Sequence, residues 1–213
     1  MNPQEKKQAQ LLARRARSLL TRLRGPPRRP PLPGIDQWNS EYESGKWAYL
    51  GGLPELARYS ILIGYLQHFK PGGSILDVGC GEGVLHRRLQ PHAYSRYLGV
   101  DCAGSAIRTL QARGAGNSAF IAADAESYLP AERFDALVFN EVLYYFRDPD
   151  SALARYARAL NSGGIILVST CTLSGPGSAI LARLRGSYAV LDETTVSHAA
   201  GACSWVVSVL APA

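Results

Sequence analysis

The stretch Ser74-Ile75-Leu76-Asp77-Val78-Gly79-Cys80-Gly81-Glu82-Gly83 constrains this chain more than any other. An apolar run reaches an acid and enters a loop with three alternate glycines. Glycine allows tight turns and lets a ligand lie against bare backbone. The next residues, 84–89, read as the start of a helix whose free N–H groups face whatever lies over the loop. The pattern is a nucleotide-binding strand–loop–helix.

The same grammar repeats downstream. The run 97–100 is apolar and ends at Asp101. Residues 105–112 are helical, with Ile107 and Leu110 inward. The run 119–122 ends near Asp124, and 134–139 ends at Asn140-Glu141. Asp148-Pro149 is a strong helix start, with an acid at the cap and proline in the first turn. Leu153, Tyr156, Ala157 and Leu160 mark that helix's apolar face. The segment 161–164 should stop it, and 165–169 reads as a buried strand. Alternation of strand and helix implies a parallel sheet covered on both faces. After Thr170 a short helix is expected over 178–184. Runs 188–196 and 204–210 then read as a terminal antiparallel hairpin, with His198 in its turn.

A ligand on an open parallel sheet binds beyond the carboxyl ends of its strands. Asp77, Asp101, Asp124 and Asn140-Glu141 fall at such ends on four successive strands. Asp101 follows Gly79 by 22 residues, where a ribose-binding acid belongs. An ionised carboxylate accepts from two hydroxyls. Asp124 is placed to accept from an adenine amino group, and Asp77 to orient the glycine loop or meet an ammonium.

Upstream, residues 54–69 read as a helix with Ala57, Ile61, Leu62, Tyr65, Leu66 and Phe69 inward. Trp38, Tyr42, Trp47 and Tyr49 crowd the short stretch before it.

Charge is distributed unevenly. Residues 1–34 hold nine basic side chains against Glu5 alone, a net of +8. The whole chain of 213 residues carries +6, so the remainder carries −2. Residues 4–23 fit a helix with leucines among arginines, and the proline-rich 25–34 behaves as an extended spacer. This arm reads either as a docking arm for nucleic acid or an anionic membrane, or as a solubilising, partner-binding tail. It contains no aromatic residue, which counts against base stacking. No apolar run reaches the ~18 residues of a bilayer span, and no secretory leader is expected. Cys80, Cys102, Cys171 and Cys203 show neither metal-ligand spacing nor a disulfide framework. This usage fits a cytoplasmic protein.

From about Tyr59 to Leu210 the chain resembles class I S-adenosylmethionine-dependent methyltransferases. The resemblance rests on Ile75 to Gly83, on Leu98-Gly99-Val100-Asp101, on Ala123-Asp124-Ala125, and on Phe134 to Glu141. It also covers residues 158–169. It implies a Rossmann-like three-layer α/β sandwich with a mostly parallel seven-stranded sheet and a C-terminal antiparallel hairpin. It implies S-adenosylmethionine as cofactor. Asp77, Gly79, Cys80, Gly81, Gly83, Asp101, Cys102, Asp124, Ala125, Asn140 and Glu141 would form its site, and no metal is implied. The side chains of Cys80 and Cys102 are read as small apolar groups rather than redox centres. Residues 35–213 would be the methyltransferase domain, with an aromatic lid over 35–53, behind the arm 1–34.

Methyl transfer asks little of side chains. The site must align the nucleophile and exclude water. A general base matters where the nucleophile carries a proton. Glu141, Tyr144 and Tyr145 are the candidates, with His198 more remote. Tyr144, Tyr145 or Trp47 would meet the sulfonium through ring faces. His86 and His92 read as surface residues. Glu141 to Tyr145 is similar to small-molecule members, so the expected acceptor is an O or N atom of a small molecule. The alternative is a module that acts on or docks to RNA or a membrane-associated precursor through the arm. A nicotinamide dehydrogenase fits less well, because the glycine spacing differs and Asp124 would have no purpose.

Overall fold

The apolar runs of the sequence become the central strands of one sheet. The computed structural model describes residues 32–90, 92–113, 116–173, 175–198 and 204–212. The helix expected over 4–23 and Cys203 lie outside them. The described residues from Pro33 onward belong to one unit.

Helix α1 spans Ile35–Glu43, a 3-10 turn spans Ala48–Gly51, and helix α2 spans Leu53–Phe69. Strand β1 (Gly72–Val78) leads through the glycine loop into α3 (Val84–Leu89). There follow β2 (Tyr94–Asp101), α4 (Gly104–Ala112), β3 (Ser118–Ala122) and β4 (Phe134–Asn140). A 3-10 turn (Leu143–Tyr145) then precedes α5 (Pro149–Ala157), β5 (Leu160–Cys171) and α6 (Gly175–Ser187). The hairpin β6 (Ala189–Ser197) and β7 (Ser204–Ala211) closes the order.

The seven strands lie in the order β3-β2-β1-β4-β5-β7-β6. The first five pair in parallel, and β7 runs antiparallel to β5 and β6. Alternation along each strand divides the core between two faces. Ile75, Val138, Leu167 and Val207 face α2, α3 and α4 residues such as Leu62, Leu85 and Ile107. Leu76, Leu137, Phe139 and Val168 face Leu153 and Tyr156 of α5 and Ile180 and Leu184 of α6. This is the three-layer architecture expected.

Three local expectations need correction. Strand β5 begins at Leu160, not 165, so Leu160 is a sheet residue rather than part of the α5 face. Phe134 N donates to Ala159 O at 2.8 Å, and Arg133 Nη1 to Leu160 O at 2.7 Å. Those bonds draw the chain into the sheet before the Gly163-Gly164 pair, and a register shift absorbs the excess. Helix α6 is longer than 178–184 because glycines occupy its first turn. A Cβ on Gly177 would fall 2.1 Å from Cys171 O, so only glycine lets this helix approach β5. On α2, Ala57 is exposed, whereas Glu55, Arg58 and Tyr59 are buried.

Opposite the ligand end, Asp135 ties three strands together. Its carboxylate accepts from Ser74 N at 2.8 Å, Ser74 Oγ at 2.7 Å and Asn161 Nδ2 at 2.8 Å. These bonds hold the carboxyl below its usual range.

Candidate functional site

Strand order reverses at β1, which has β2 on one side and β4 on the other. Such a switch point opens a crevice at the carboxyl ends of the strands. Register places Asp77 beside Gly99 of β2 and Val138 of β4. Asp77, Asp101 and Asn140 thus stand at the carboxyl ends of the adjacent strands β1, β2 and β4.

The glycine loop is the floor. Gly79 has φ +77° and Gly81 φ +52°, values that L side chains adopt only with strain. Space is equally restrictive. A Cβ on Gly79 would lie 2.4 Å from Val142 Cγ2, and one on Gly81 2.6 Å from Tyr42 Oη. Gly83 caps α3. Cys80 is buried with its Sγ against the Cβ direction of Gly99, so it presents only backbone to the crevice. Burial, then Asp101, push its thiol well up.

Asp77 is 2% exposed. One oxygen accepts from Tyr97 Oη, and Oδ1 has no partner among the described residues. Burial, with a contribution from Asp101, pushes its carboxyl up to about 7. Asp101 is also buried, yet both its oxygens accept backbone N–H groups, from Gly81 and Ala103, each at 2.9 Å. Cys102 lies between Asp101 and Asp124. Burial first, then those two acids, push its thiol up to about 12. Asp124 is exposed, and its Oδ1 accepts from Glu126 N at 2.9 Å, fixing a turn. Ala125 O is held by Arg155 Nη2 and Tyr156 Oη, each at 2.9 Å.

At the end of β4 a buried polar network appears. Glu141 has φ +58°, the one described non-glycine residue with positive φ. Such strain collects at functional sites. Its carboxylate accepts from Tyr144 Oη at 2.9 Å and Ser169 Oγ at 3.1 Å. Burial raises its carboxyl, and Arg58 opposes the shift. Arg58 is 1% exposed; it donates to Asn140 Oδ1 and pairs with Glu55 Oε2 at 2.6 Å. Its guanidinium lies 4.5 Å from the Tyr59 ring centre. Sequence reading missed Arg58, Glu55 and Ser169. A usable signal was present, an acid and a base three apart in the first turn of α2.

The aromatic stretch forms a cover. Asn39 Oδ1 accepts from Ser105 N at 2.9 Å, so α1 caps the start of α4. Tyr42 reaches over Gly81, and burial with the nearby Asp101 raises its phenol. Trp38 meets Tyr145 edge-on at 4.9 Å and Trp47 at 5.7 Å. Trp47 is thus one ring removed from Tyr145. Glu41 holds Lys46 at 2.6 Å and Trp47 Nε1 at 3.2 Å.

The histidines differ. His92 is exposed as expected. His86 is half-buried against Tyr97 and Phe120, with Nε2 2.9 Å from Ser118 Oγ, so it is a packing residue. His198 follows β6 and is half-buried.

A methyltransferase-domain family model matches residues 76–168, the span from β1 into β5 that builds this crevice. The segment 76–168 is thus similar to methyltransferase domains. Among solved structures, the chain is similar to the N-methyltransferase NodS of Bradyrhizobium japonicum in complex with S-adenosylhomocysteine. That match has a TM-score of 0.69 at 19% identity, covering 78% of this chain and 91% of that one. Magnesium protoporphyrin IX methyltransferase of Synechocystis, with bound S-adenosylmethionine, matches with a TM-score of 0.66 at 15% identity, over 83% and 94%. Curated relatives include a malonyl-(acyl-carrier protein) O-methyltransferase of Haemophilus influenzae, 28% identical over 51% of this chain and 43% of the relative. A tRNA U34 carboxymethyltransferase of Photobacterium profundum is 30% identical over 60% of this chain and 41% of the relative. The chain thus spans less than half the length of these curated relatives.

Two solved methyltransferases of similar fold hold S-adenosylhomocysteine or S-adenosylmethionine, and the residues of this crevice fit that cofactor. The glycine floor has no room for side chains. The unpartnered Asp77 Oδ1 is a buried acceptor awaiting a donor. Asp101 retains a second lone pair on each oxygen. The cofactor offers ammonium, hydroxyl and amino donors, which match this acceptor set.

Proposed function

We propose that this chain transfers a methyl group from S-adenosylmethionine to an O or N atom of a small molecule. The observation that carries the reading is the convergence of Asp77, Gly79, Gly81, Asp101 and Glu141 on one switch point beneath an aromatic cover. Asp77 would receive the methionyl ammonium, and Asp101 the ribose hydroxyls. Gly79, Cys80, Gly81 and Gly83 would present backbone. Cys102, Asp124 and Ala125 would border the adenine, and Asn140 and Glu141 the sulfonium end. When bound, the cofactor supplies an electrophilic methyl carbon on a good leaving group.

The remaining work falls to positioning. Trp38, Tyr42 and Trp47 would exclude water above the crevice and hold the acceptor in line. Tyr144 and Tyr145 are poor bases. Burial, then Glu141, raise the Tyr144 phenol, and burial, then Tyr49, raise Tyr145 to about 12. Glu141 is therefore the proton acceptor of the three. Incubation with isotopically labelled S-adenosylmethionine and an acceptor library tests the reading. One labelled methyl should appear on a small molecule. Cofactor binding without transfer to any acceptor would count against it.

A second reading makes the acceptor RNA or a membrane-associated precursor, delivered by residues 1–34. The net charge of +8 on that arm favours it, as does the tRNA-modifying relative. Deleting residues 1–34 decides between the two. Unchanged turnover on a soluble acceptor supports the first, and lost RNA or vesicle binding supports the second. A cytoplasmic location accords with either; no helix of the described residues is long and apolar enough to cross a membrane.

A further inference from the structure

We propose that the acceptor group is a basic amine, received as its ammonium form by Glu141 and the Tyr145–Trp38 ring pair. This deepens, and rests on, the methyltransferase reading above.

The argument is one of donors and charge. Arg58 is the one buried cation among the described residues. Its Nε and Nη2 are both spent on Glu55 Oε2, at 3.3 and 2.6 Å, and Nη1 on Asn140 Oδ1. Arg58 faces both Glu55 and Glu141, so one cation stands against two carboxylates and the cluster keeps one surplus negative charge. The hydrogen-bond partners of Glu141, Tyr144 Oη, Ser169 Oγ and the Cys171 backbone, are all neutral and leave that charge in place. Tyr145 packs against Tyr144 at 4.7 Å and against Trp38 at 4.9 Å. Ring faces attract cations, and a carboxylate set among them accepts an ammonium. The outer part of the same cluster already carries one, because Lys46 Nζ lies 5.5 Å from the Trp47 ring centre.

Oxygen acceptors fit less well. A carboxylate or phenolate would bring a second negative charge beside Glu141, with Arg58 already engaged. An alcohol is neutral but offers one donor, where a primary ammonium offers three.

The step balances. The ammonium gives one proton to the Glu141 carboxylate, leaving a neutral amine with a lone pair. That lone pair forms the new N–C bond as the methyl carbon–sulfur bond breaks, and the bonding pair stays on sulfur as a thioether. The methylated product keeps the positive charge on nitrogen. The proton on Glu141 then passes to solvent.

The test uses the full chain loaded with S-adenosylhomocysteine. Matched sets of primary amine, alcohol and carboxylate on the same alkyl and arylalkyl skeletons are titrated by calorimetry. Amines should bind about tenfold more tightly than their alcohols, and carboxylates not at all. Glu141→Gln should shrink the amine-over-alcohol ratio to about threefold or less. Tyr145→Leu should weaken amines more than alcohols, and serves alone where Glu141→Gln unfolds. Alcohol or carboxylate binding equal to the amines, no amine binding in any set, or an undiminished ratio in the variants would overturn the proposal. S-adenosylhomocysteine binding is measured first. Its absence would defeat the methyltransferase reading itself, whereas its presence with carboxylate ligands would defeat only the amine.

Discussion

Replacing Asp77 by Asn should stabilise the ligand-free protein at pH 8 and impair its cofactor site. Asp77 is 2% exposed, with one oxygen bonded to Tyr97 and the other unpartnered among the described residues. Burial moves its carboxyl from the ordinary 3.8 to about 7. A shift of about 3 units corresponds to an upper bound of about 4 kcal/mol of destabilisation once the group is ionised. The sign follows from proton counting. Between about pH 4 and 7 the folded state holds more protons here than the unfolded state, so wild-type stability falls as pH rises through that window. Asn keeps an acceptor for Tyr97 and buries no charge. Its unpaired amide costs about 1–3 kcal/mol, leaving a net gain of about 1–3 kcal/mol at pH 8. For a domain of this size that is about 2–12 °C in Tm. At pH 5, where wild-type Asp77 is mostly protonated, the gain should vanish. Scanning calorimetry of both proteins at pH 5 and 8 reads this directly. Saturating S-adenosylhomocysteine should reverse the order at pH 8, because its ammonium compensates the wild-type carboxylate. A Tm difference independent of pH would refute the argument from buried charge.

Three further outcomes follow from the geometry. Gly79→Ala should abolish measurable S-adenosylhomocysteine binding, since its Cβ meets Val142 at 2.4 Å and φ is +77°; isothermal titration checks this. Arg58→Met should cost about 3–5 kcal/mol, because Glu55 and Glu141 lose their buried counter-charge; urea unfolding measures it. Asn39→Ala should cost about 1 kcal/mol by uncapping α4, and should speed release of S-adenosylhomocysteine, read by stopped-flow tryptophan fluorescence.

The sheet was legible because each strand announces itself twice, by an apolar run and by the polar residue ending it. Asp77, Asp101 and Asn140 stand at strand ends as expected. Where the structure departs, the cause is long-range. Arg133 and Phe134 recruit the backbone of 159–160 into the sheet, against the local stop signal of Gly163-Gly164. Periodicity on α2 rewards apolar positions, so it selected exposed Ala57 and passed over buried Arg58. Arg58 meets Asn140 across 82 residues, a contact no local pattern encodes. The same holds for Tyr42 over Gly81. The aromatic density was visible in the sequence, but the helix that carries it and its docking through Asn39 to Ser105 were not.

The central claim is that the crevice at the β1–β4 switch point holds S-adenosylmethionine. Calorimetric titration of S-adenosylmethionine and S-adenosylhomocysteine against the wild-type chain and Asp101→Asn tests it most directly. Asn keeps the side-chain shape and removes the charge proposed to serve the ribose hydroxyls. Both compounds should bind the wild type with one-to-one stoichiometry, and Asp101→Asn should weaken each by about tenfold or more. A wild-type chain that binds neither compound would contradict the account.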